Sequence, residues 1–525
     1  MAAITWGNTG IGGDWDTAAN WTGGALPAAA DTAILNQAGN VTVVHGIGTD
    51  AVAALTASDP FSVTGGLLTV AGPASLTGGL SVSGGTLTLG GTSQISAGFN
   101  LTGGHIVVSA STTVSGLATI GYGTIDGTGT LTTTGTTTIA GQPLLDGGMT
   151  WVNQGTLAGT ASLLIGSPTA AANFTNAAGG TFNLGGSITG YTTSSTNAAG
   201  QRVVTSSGTL SNAGLLQLTS LAGAGGHGVN VVVNESGMIA LGSDSLYLYA
   251  GGRIGGSVTG TGAIYLQQGT FTLNGPTVAA TAKLVLQGGT VDVAAGQILS
   301  SLGVTYGTID GAGTLATSGA TTNNLSNVTL GGGLAWNNSA SVATSGPLIL
   351  SDVTGSATFD NLAGGTLALT GPVSSGTLVN AGLLNVTDTG LNGLPNVANA
   401  AISRLRGVVI SSTLVDSGTI SLASSQLEIS GGGSIGGSVI GTGTLQFDGG
   451  TTTVNAVSLA SGVGVVVAVG TLAVAAKALT VNGGFDLASG AVKIAAGSIV
   501  SIGSNATFTI PRLSNPPTCP APARS

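Results

Sequence analysis

Between about Val41 and Ile510 apolar and small polar residues alternate in runs of four to six, and most runs end at glycine. Thr86, Leu87, Thr88 and Leu89 show the pattern, as do GGTLTLGGTSQI from Gly84, LTGGHIVV from Leu101 and KLVLQGGTVDVAAG from Lys283. A period of two predicts β-strands with one face turned inward. The Gly-Gly and Asn-Gly pairs between runs let the backbone turn at positive φ. Strands this short would make a poor core in a flat antiparallel sheet. In a coil each one pairs with its equivalents above and below.

Equivalent runs recur at roughly 18 to 22 residues, a solenoid spacing. About 20 residues per coil gives roughly 23 coils, and a strand separation of about 4.8 Å makes a rod on the order of 110 Å long. The expected fold is all-β, a right-handed parallel β-helix forming a single elongated rod, its hand taken from the general chirality of parallel crossovers. The Ala-rich runs AVAALTA from Ala51 and TLAVAAKAL from Thr471 are short and uncapped, and are read as strand.

Superimposed on the short period is a long one. YGTIDGTGTL from Tyr122 returns as YGTIDGAGTL from Tyr306, an offset of 184 residues, and Trp151 and FTNAAGGT from Phe174 return at Trp336 and FDNLAGGT from Phe359. The offset then drifts: TLSNAGLL from Thr209 matches TLVNAGLL from Thr377 at 168, and GGSV at Gly255 matches Gly436 at 181. A stack of coils absorbs such changes by losing or gaining about one coil, which a globular core cannot. The added material falls around Gly390 to Gly407 and carries Arg404 and Arg406.

Composition narrows the classes. The 525 residues include 94 glycines, 5% charged residues and 4% aromatics, with a mean hydropathy of +0.49. No Gly-X-Y period exists, which excludes collagen, and the abundance of Val, Ile and Thr argues against disorder. A net charge of -9 spread over the chain provides no basic surface for nucleic acid. The one cysteine, Cys519, leaves the body without disulfides or thiolate metal sites, a usage that suits an exported bacterial protein. No continuous apolar stretch reaches 18 residues, so no membrane span is expected. MAAITWGNTG has no positive n-region or apolar h-region and is not read as a secretory signal.

Three domains are expected. Residues 1–50 hold Trp6, Trp15 and Trp21 and read as a cap over the open end of the stack. A sugar-stacking platform is the other reading of these rings. Residues 51–510 read as the β-helix, with its internal duplication at about 122–305 and 306–488. Residues 511–525 are a Pro-rich tail that cannot continue a ladder and is expected to be disordered.

The stretch GGDWDTAANWTGGALPAAADTAIL, Gly12 to Leu35, resembles the opening of bacterial secreted β-strand-repeat proteins of the autotransporter passenger and adhesin class. Gly- and Thr-rich repeats like theirs follow through about residue 510. The resemblance implies a right-handed parallel β-helix exposed outside the cell. The chain departs from the full-length pattern in lacking a recognisable signal peptide and a C-terminal β-barrel translocator.

Parallel β-helices also include polysaccharide lyases and hydrolases, and glycoside hydrolysis needs paired carboxylates. Asp126 with Asp146, or Asp292 with Asp310, would stack at one coil of separation, yet Asp126 and Asp310 sit in IDG, a turn-forming sequence. His45, His105 and His227 are far apart and read as solvent-facing polar positions. Asp14 and Asp16 with Asn20 are a minor oxygen-ligand candidate that turn hydrogen bonds explain equally well. No GGxGxD calcium nonapeptide, phosphate loop or nucleophile elbow occurs. Arg404 and Arg406 form the one notable charge cluster, with Asp388 and Asp416 nearby in sequence, and are read either as a candidate partner-binding loop or as simply solvated.

The expectation is therefore an extracellular or cell-surface structural or adhesive rod mediating bacterial adhesion or aggregation, with a polysaccharide-degrading enzyme as the alternative. Neither catalytic residues nor cofactor nor metal are expected. Its partners would be glycans, host or bacterial surface proteins or further copies of itself, with no nucleic acid, and membrane contact only through a translocator not present in this chain.

Overall fold

In a computed structural model, residues 2–7, 10, 12–196, 202–219, 226–300, 302–318, 322–387, 407–476, 478–504 and 506–510 are described. They fall into two compact units, 1–292 and 293–525. Each is a parallel β-solenoid in which a coil contributes three short strands to three columns. One coil holds Leu80–Val82, Thr86–Leu89 and Ser93–Ile95. The next coil stacks Phe99–Leu101, His105–Val108 and Ser111–Val114 on them, parallel and in register. One column of the first unit runs through 13 strands, and one column of the second through 10. Both Ala-rich runs are strand, at Thr49–Val52 and Ala54–Ala57 and at Thr471–Ala476 and Ala478–Val481. Among the described residues the one helix is a three-residue 3-10 turn, Ala18–Asn20, and none is long and apolar enough to cross a membrane.

The interior is built from columns of like residues. Leu68, Leu87, Ile106, Ile125 and Leu145 follow one another in register and are all buried. Each such side chain contributes roughly 1.5–3 kcal/mol of apolar burial. The Gly-Gly turns stack in the same way. Gly66, Gly85 and Gly104 have φ of +65°, +60° and +68°, and a Cβ on Gly85 would lie 2.4 Å from the Gly65 carbonyl carbon. Turns on successive coils therefore touch backbone to backbone, which a side chain would prevent.

The drift in the long repeat has a different cause from the one expected. Asn176 pairs with Asn212 across 36 residues, whereas their counterparts Asn361 and Asn380 pair across 19. No coil has been lost. The first unit carries an antiparallel hairpin, Thr192–Thr196 with Arg202–Ser206, at one turn, and the second unit has more sequence in the following coil, between Asn380 and its partner Asp416. The strands on either side of each length change stay paired in register, because added chain between strands does not touch the ladder.

A directed polar chain runs inside each unit. In the first, Trp151 Nε1 donates to Thr133 Oγ1 (3.1 Å) and Thr133 Oγ1 donates to Asn153 Oδ1 (3.5 Å). Asn153 Nδ2 donates to Asn176 Oδ1 (2.8 Å) and Asn176 Nδ2 to Asn212 Oδ1 (2.7 Å). Asn212 Nδ2 ends the chain on the Glu235 carboxylate at 2.9 Å. In the second unit Trp336, Thr317, Asn338, Asn361, Asn380 and Asp416 repeat it in the same order. The direction follows from the ends, since indole N–H only donates and carboxylate only accepts. Spare amide protons reach backbone carbonyls, as Asn176 Nδ2 does at Leu215 O, 3.0 Å. Burial pushes the Glu235 carboxyl from its ordinary 4.5 up to about 7, against the opposing hydrogen bonds from Asn212 and Gly237. Burial likewise lifts Asp416 from 3.8 to about 6.

Asn176→Ala should leave Asn153 and Asn212 each short of a buried partner, at a cost of about 3 kcal/mol. Amide exchange in the coils around residues 153–235 would accelerate roughly a hundredfold. Exchange no faster than in wild type would show that the chain adds no stability. A second expectation concerns pH. A raised carboxyl pKa stabilises the fold fully below pH 4.5 at Glu235, and this contribution is lost as pH rises through about 7. The amount is on the order of 3 kcal/mol. Urea midpoints of wild type should fall across that window, and those of Glu235→Gln should fall less.

Candidate functional site

Strand alternation sends every second residue of an outer column to solvent, and register stacks those residues into stripes. Earlier in the first unit one such stripe reads Leu67, Thr86, His105 and Thr124. Between residues 226 and 287 of the first unit a stripe becomes aromatic. Gly228, Tyr247, Tyr265 and Val285 occupy one stripe by register, and the Tyr247 and Tyr265 rings stack at 4.9 Å with an interplanar angle of 11°. Two residues along, Tyr249 precedes Gln267, whose Nε2 donates to Gln287 Oε1 (2.9 Å). A glycine makes room for one ring: a Cβ on Gly226 would lie 2.6 Å from Tyr247 Cε2.

The hairpin inserted at the preceding turn walls this surface. Thr192, Thr193, Ser194 and Val204 of the hairpin face Tyr249, Asn230 and Gln268 across a groove of about 540 Å³. No charged side chain lines it. An uncharged cleft with one tyrosine ring, Tyr249, and amide and hydroxyl groups is suited to a neutral polyhydroxylated ligand, because a ring covers the apolar face of a sugar while the amides bond its hydroxyls.

The comparisons add no relative. Neither the family models, nor the curated proteins, nor the solved structures gave a match to this chain. The parallel β-solenoid fold thus rests on the strand register itself.

The acids and histidines expected from the sequence are distributed as follows. Asp126 Oδ1 accepts the Gly127 N–H, and Asp310 Oδ1 the Gly311 N–H at 2.7 Å, the turn role expected of IDG. Asp126 and Asp146 do fall on successive coils beside the paired Ile125 and Leu145. Asp14 Oδ1 accepts from Asp16 N (3.1 Å) and Asn20 Nδ2 donates to Asp14 O (2.9 Å), so these two residues serve the turn. Asp16 instead reaches the next coil and accepts from Ile47 N at 3.3 Å.

His105 keeps part of its side chain in solvent, 35% exposed, as expected, but the other two histidines do not. His45 and His227 are buried, and each presents Nδ1 to a glycine carbonyl, Gly65 O at 3.0 Å and Gly186 O at 2.9 Å. All three histidines turn Nε2 toward an aspartate: Asp50 at 3.1 Å, Asp126 at 3.1 Å and Asp244 at 3.9 Å. These partners lie 5, 21 and 17 residues away in sequence, and for His105 the pairing runs coil to coil, a distance no local motif spans. Arg404, Arg406 and Asp388 lie outside the described residues.

Trp6, Trp15 and Trp21 are buried and pack edge to face, with centroids 5.2 and 4.7 Å apart. They form a small aromatic core instead of an open sugar platform. The tyrosines were missed because they are dispersed in sequence. The usable signal was the tyrosine triplet Tyr247, Tyr249 and Tyr265 at strand spacing, half of the six tyrosines in the chain.

Replacing residues 190–207 by a single serine, the length found between Ser374 and Gly376 in the second unit, should preserve the solenoid and remove one wall of the groove. The far-ultraviolet circular dichroism of the variant should match wild type. Loss of β signal would show that the hairpin is part of the coil's structure.

Proposed function

We propose that the chain is a non-catalytic adhesive solenoid of the bacterial cell surface or exterior, and that it recognises neutral glycans through the tyrosine-lined groove of the first unit. The observation that carries this reading is the groove itself, lined by Tyr249, Asn230, Gln268 and the inserted hairpin with no charged side chain, with the stacked Tyr247 and Tyr265 rings on the adjoining coils. Three further features support it. The segment from Gly12 to Leu35 resembles secreted β-strand-repeat proteins of the autotransporter passenger and adhesin class. The body lacks cysteine, as an exported chain tolerates well. The two most strongly shifted acids, Glu235 and Asp416, are sealed inside the coils on asparagine donors and do not reach a substrate. Weak single contacts become useful adhesion when many chains meet a surface together.

The test is retention of purified chain on immobilised neutral and acidic polysaccharides. Wild type should bind one or more neutral glycans, and the double variant Tyr247→Ala, Tyr249→Ala should lose tenfold or more in affinity with unchanged circular dichroism. Binding unaffected by the double variant, or confined to acidic glycans, would overturn the assignment of the groove. Cleavage of any polysaccharide during the assay would overturn the non-catalytic reading.

A further inference from the structure

The corner where the first and second coils meet brings together three donors that the sequence keeps apart. Asp16 lies on the turn after Gly13–Asp14, His45 ends the strand Val43–His45, and Asp50 lies in the strand Thr49–Val52. One ligand atom from each lies within 4.8 Å of the other two. The histidine is fully buried and Asp50 nearly so, with side-chain exposures of 0% and 15%.

His45 is oriented like a ligand. The Gly65 carbonyl 3.0 Å from Nδ1 only accepts, so Nδ1 carries the proton. On a neutral ring that leaves the Nε2 lone pair pointing at Asp50 Oδ2, 3.1 Å away. Two lone pairs at that distance repel unless a cation, either a proton or a metal ion, lies between them. A backbone carbonyl holding the far ring nitrogen is also the usual support behind a metal-bound imidazole. Two donors on one tetrahedral zinc ion stand about 3.4 Å apart for bonds of about 2.1 Å, close to the separation here.

The carboxylates converge on one space. The Cβ position of Gly48, where φ is +80°, lies 3.1 Å from Asp16 Oδ1 and 3.2 Å from Asp50 Oδ2. A side chain at residue 48 would fill the volume that the two acids face. His105 and His227 each have an aspartate partner, yet among the described residues only the His45 corner adds a third ligand.

We propose that Asp16, His45 and Asp50 bind a first-row divalent cation, Zn²⁺ by their donor set, which ties the first coil to the second. One imidazole and two carboxylates fit Zn²⁺ or its neighbours in the series, whereas Ca²⁺ takes six to eight oxygens. Three protein ligands leave a fourth position to water. The ion would pin the first coil to the second and stabilise the fold by binding only the folded state.

The test uses the full chain with Cys519→Ser, stripped with chelator and desalted, titrated with Zn²⁺ by calorimetry and with Ni²⁺ by tryptophan fluorescence. The Trp15 ring lies 6.2 Å from His45, so Ni²⁺ in this corner quenches it. One equivalent of Zn²⁺ should bind and raise the melting temperature. Asp16→Asn, which can keep the Ile47 N–H bond through its amide oxygen, and Asp50→Asn should each weaken binding tenfold or more and abolish the quench. Asp16 is only half-buried, so its variant keeps the test sound if the Asp50 variant misfolds. Absence of saturable Zn²⁺ and Ni²⁺ binding would overturn the proposal and leave a shared proton on His45. Binding of undiminished strength in both variants would overturn it equally, by placing the metal elsewhere.

Discussion

The register of each coil on the next is the constraint from which the other features follow. Parallel backbone hydrogen bonding places a residue directly against its equivalent one coil away, so every chemical choice is made for a column. Apolar columns fill the interior, glycine columns let turns touch, and tyrosines one coil apart in sequence become a stacked pair. The same constraint explains why length changes fall between paired strands. A hairpin or added sequence leaves Asn176 opposite Asn212 and Asn380 opposite Asp416, whereas a change within a strand would put its apolar residues on the wrong face.

The buried polar chain is the second consequence. An isolated buried asparagine is unfavourable, since its amide has more donors and acceptors than an apolar core can satisfy. Stacked in register, each side chain satisfies its neighbour, and the chain needs terminators only at its ends. Here they are a Trp–Thr pair that donates and a carboxylate that accepts. Placing Glu235 and Asp416 there concentrates the electrostatic cost at one residue per unit, where an amide donor and a backbone N–H partly offset it. Such a column also opposes slippage, because a shifted register would leave every amide unpaired.

The fold was legible because alternation and the coil-length repeat are local signals carried by almost every residue. The duplication was legible too, and its best markers, TNAAGG against DNLAGG and SNAG against VNAG, contain the ladder asparagines themselves. They could be read as repeat markers but not as a ladder, because nothing in one copy says that Asn176 faces Asn212 until 36 intervening residues are assigned to a single coil plus a hairpin. The groove and the His45 corner were illegible for the same reason. Each is assembled across coils, so proximity depends on register and on where the insertions leave the stack. His45 and Asp50 lie close in sequence, yet a buried imidazole cannot be distinguished from an exposed one when both alternate with valine.

Comparison of the two copies separates architecture from recognition. Inside, the order Trp, Thr, Asn, Asn, Asn, carboxylate is kept at every position. Outside, the tyrosine stripe has no counterpart. At the 181-residue offset Tyr247, Tyr249 and Tyr265 correspond to Glu428, Ser430 and Gln446, and Glu428 and Gln446 stand in the register of the stacked tyrosines. The hairpin that walls the groove is missing there as well. A coil needs only small or polar residues on its outer face, so the interior alone does not account for aromatic rings in one copy and charge and amides in the other. Stripe and hairpin differ together, as expected if each is useful only beside the other. The two copies thus differ in their insertions and outer stripes, on a scaffold whose interior is otherwise repeated.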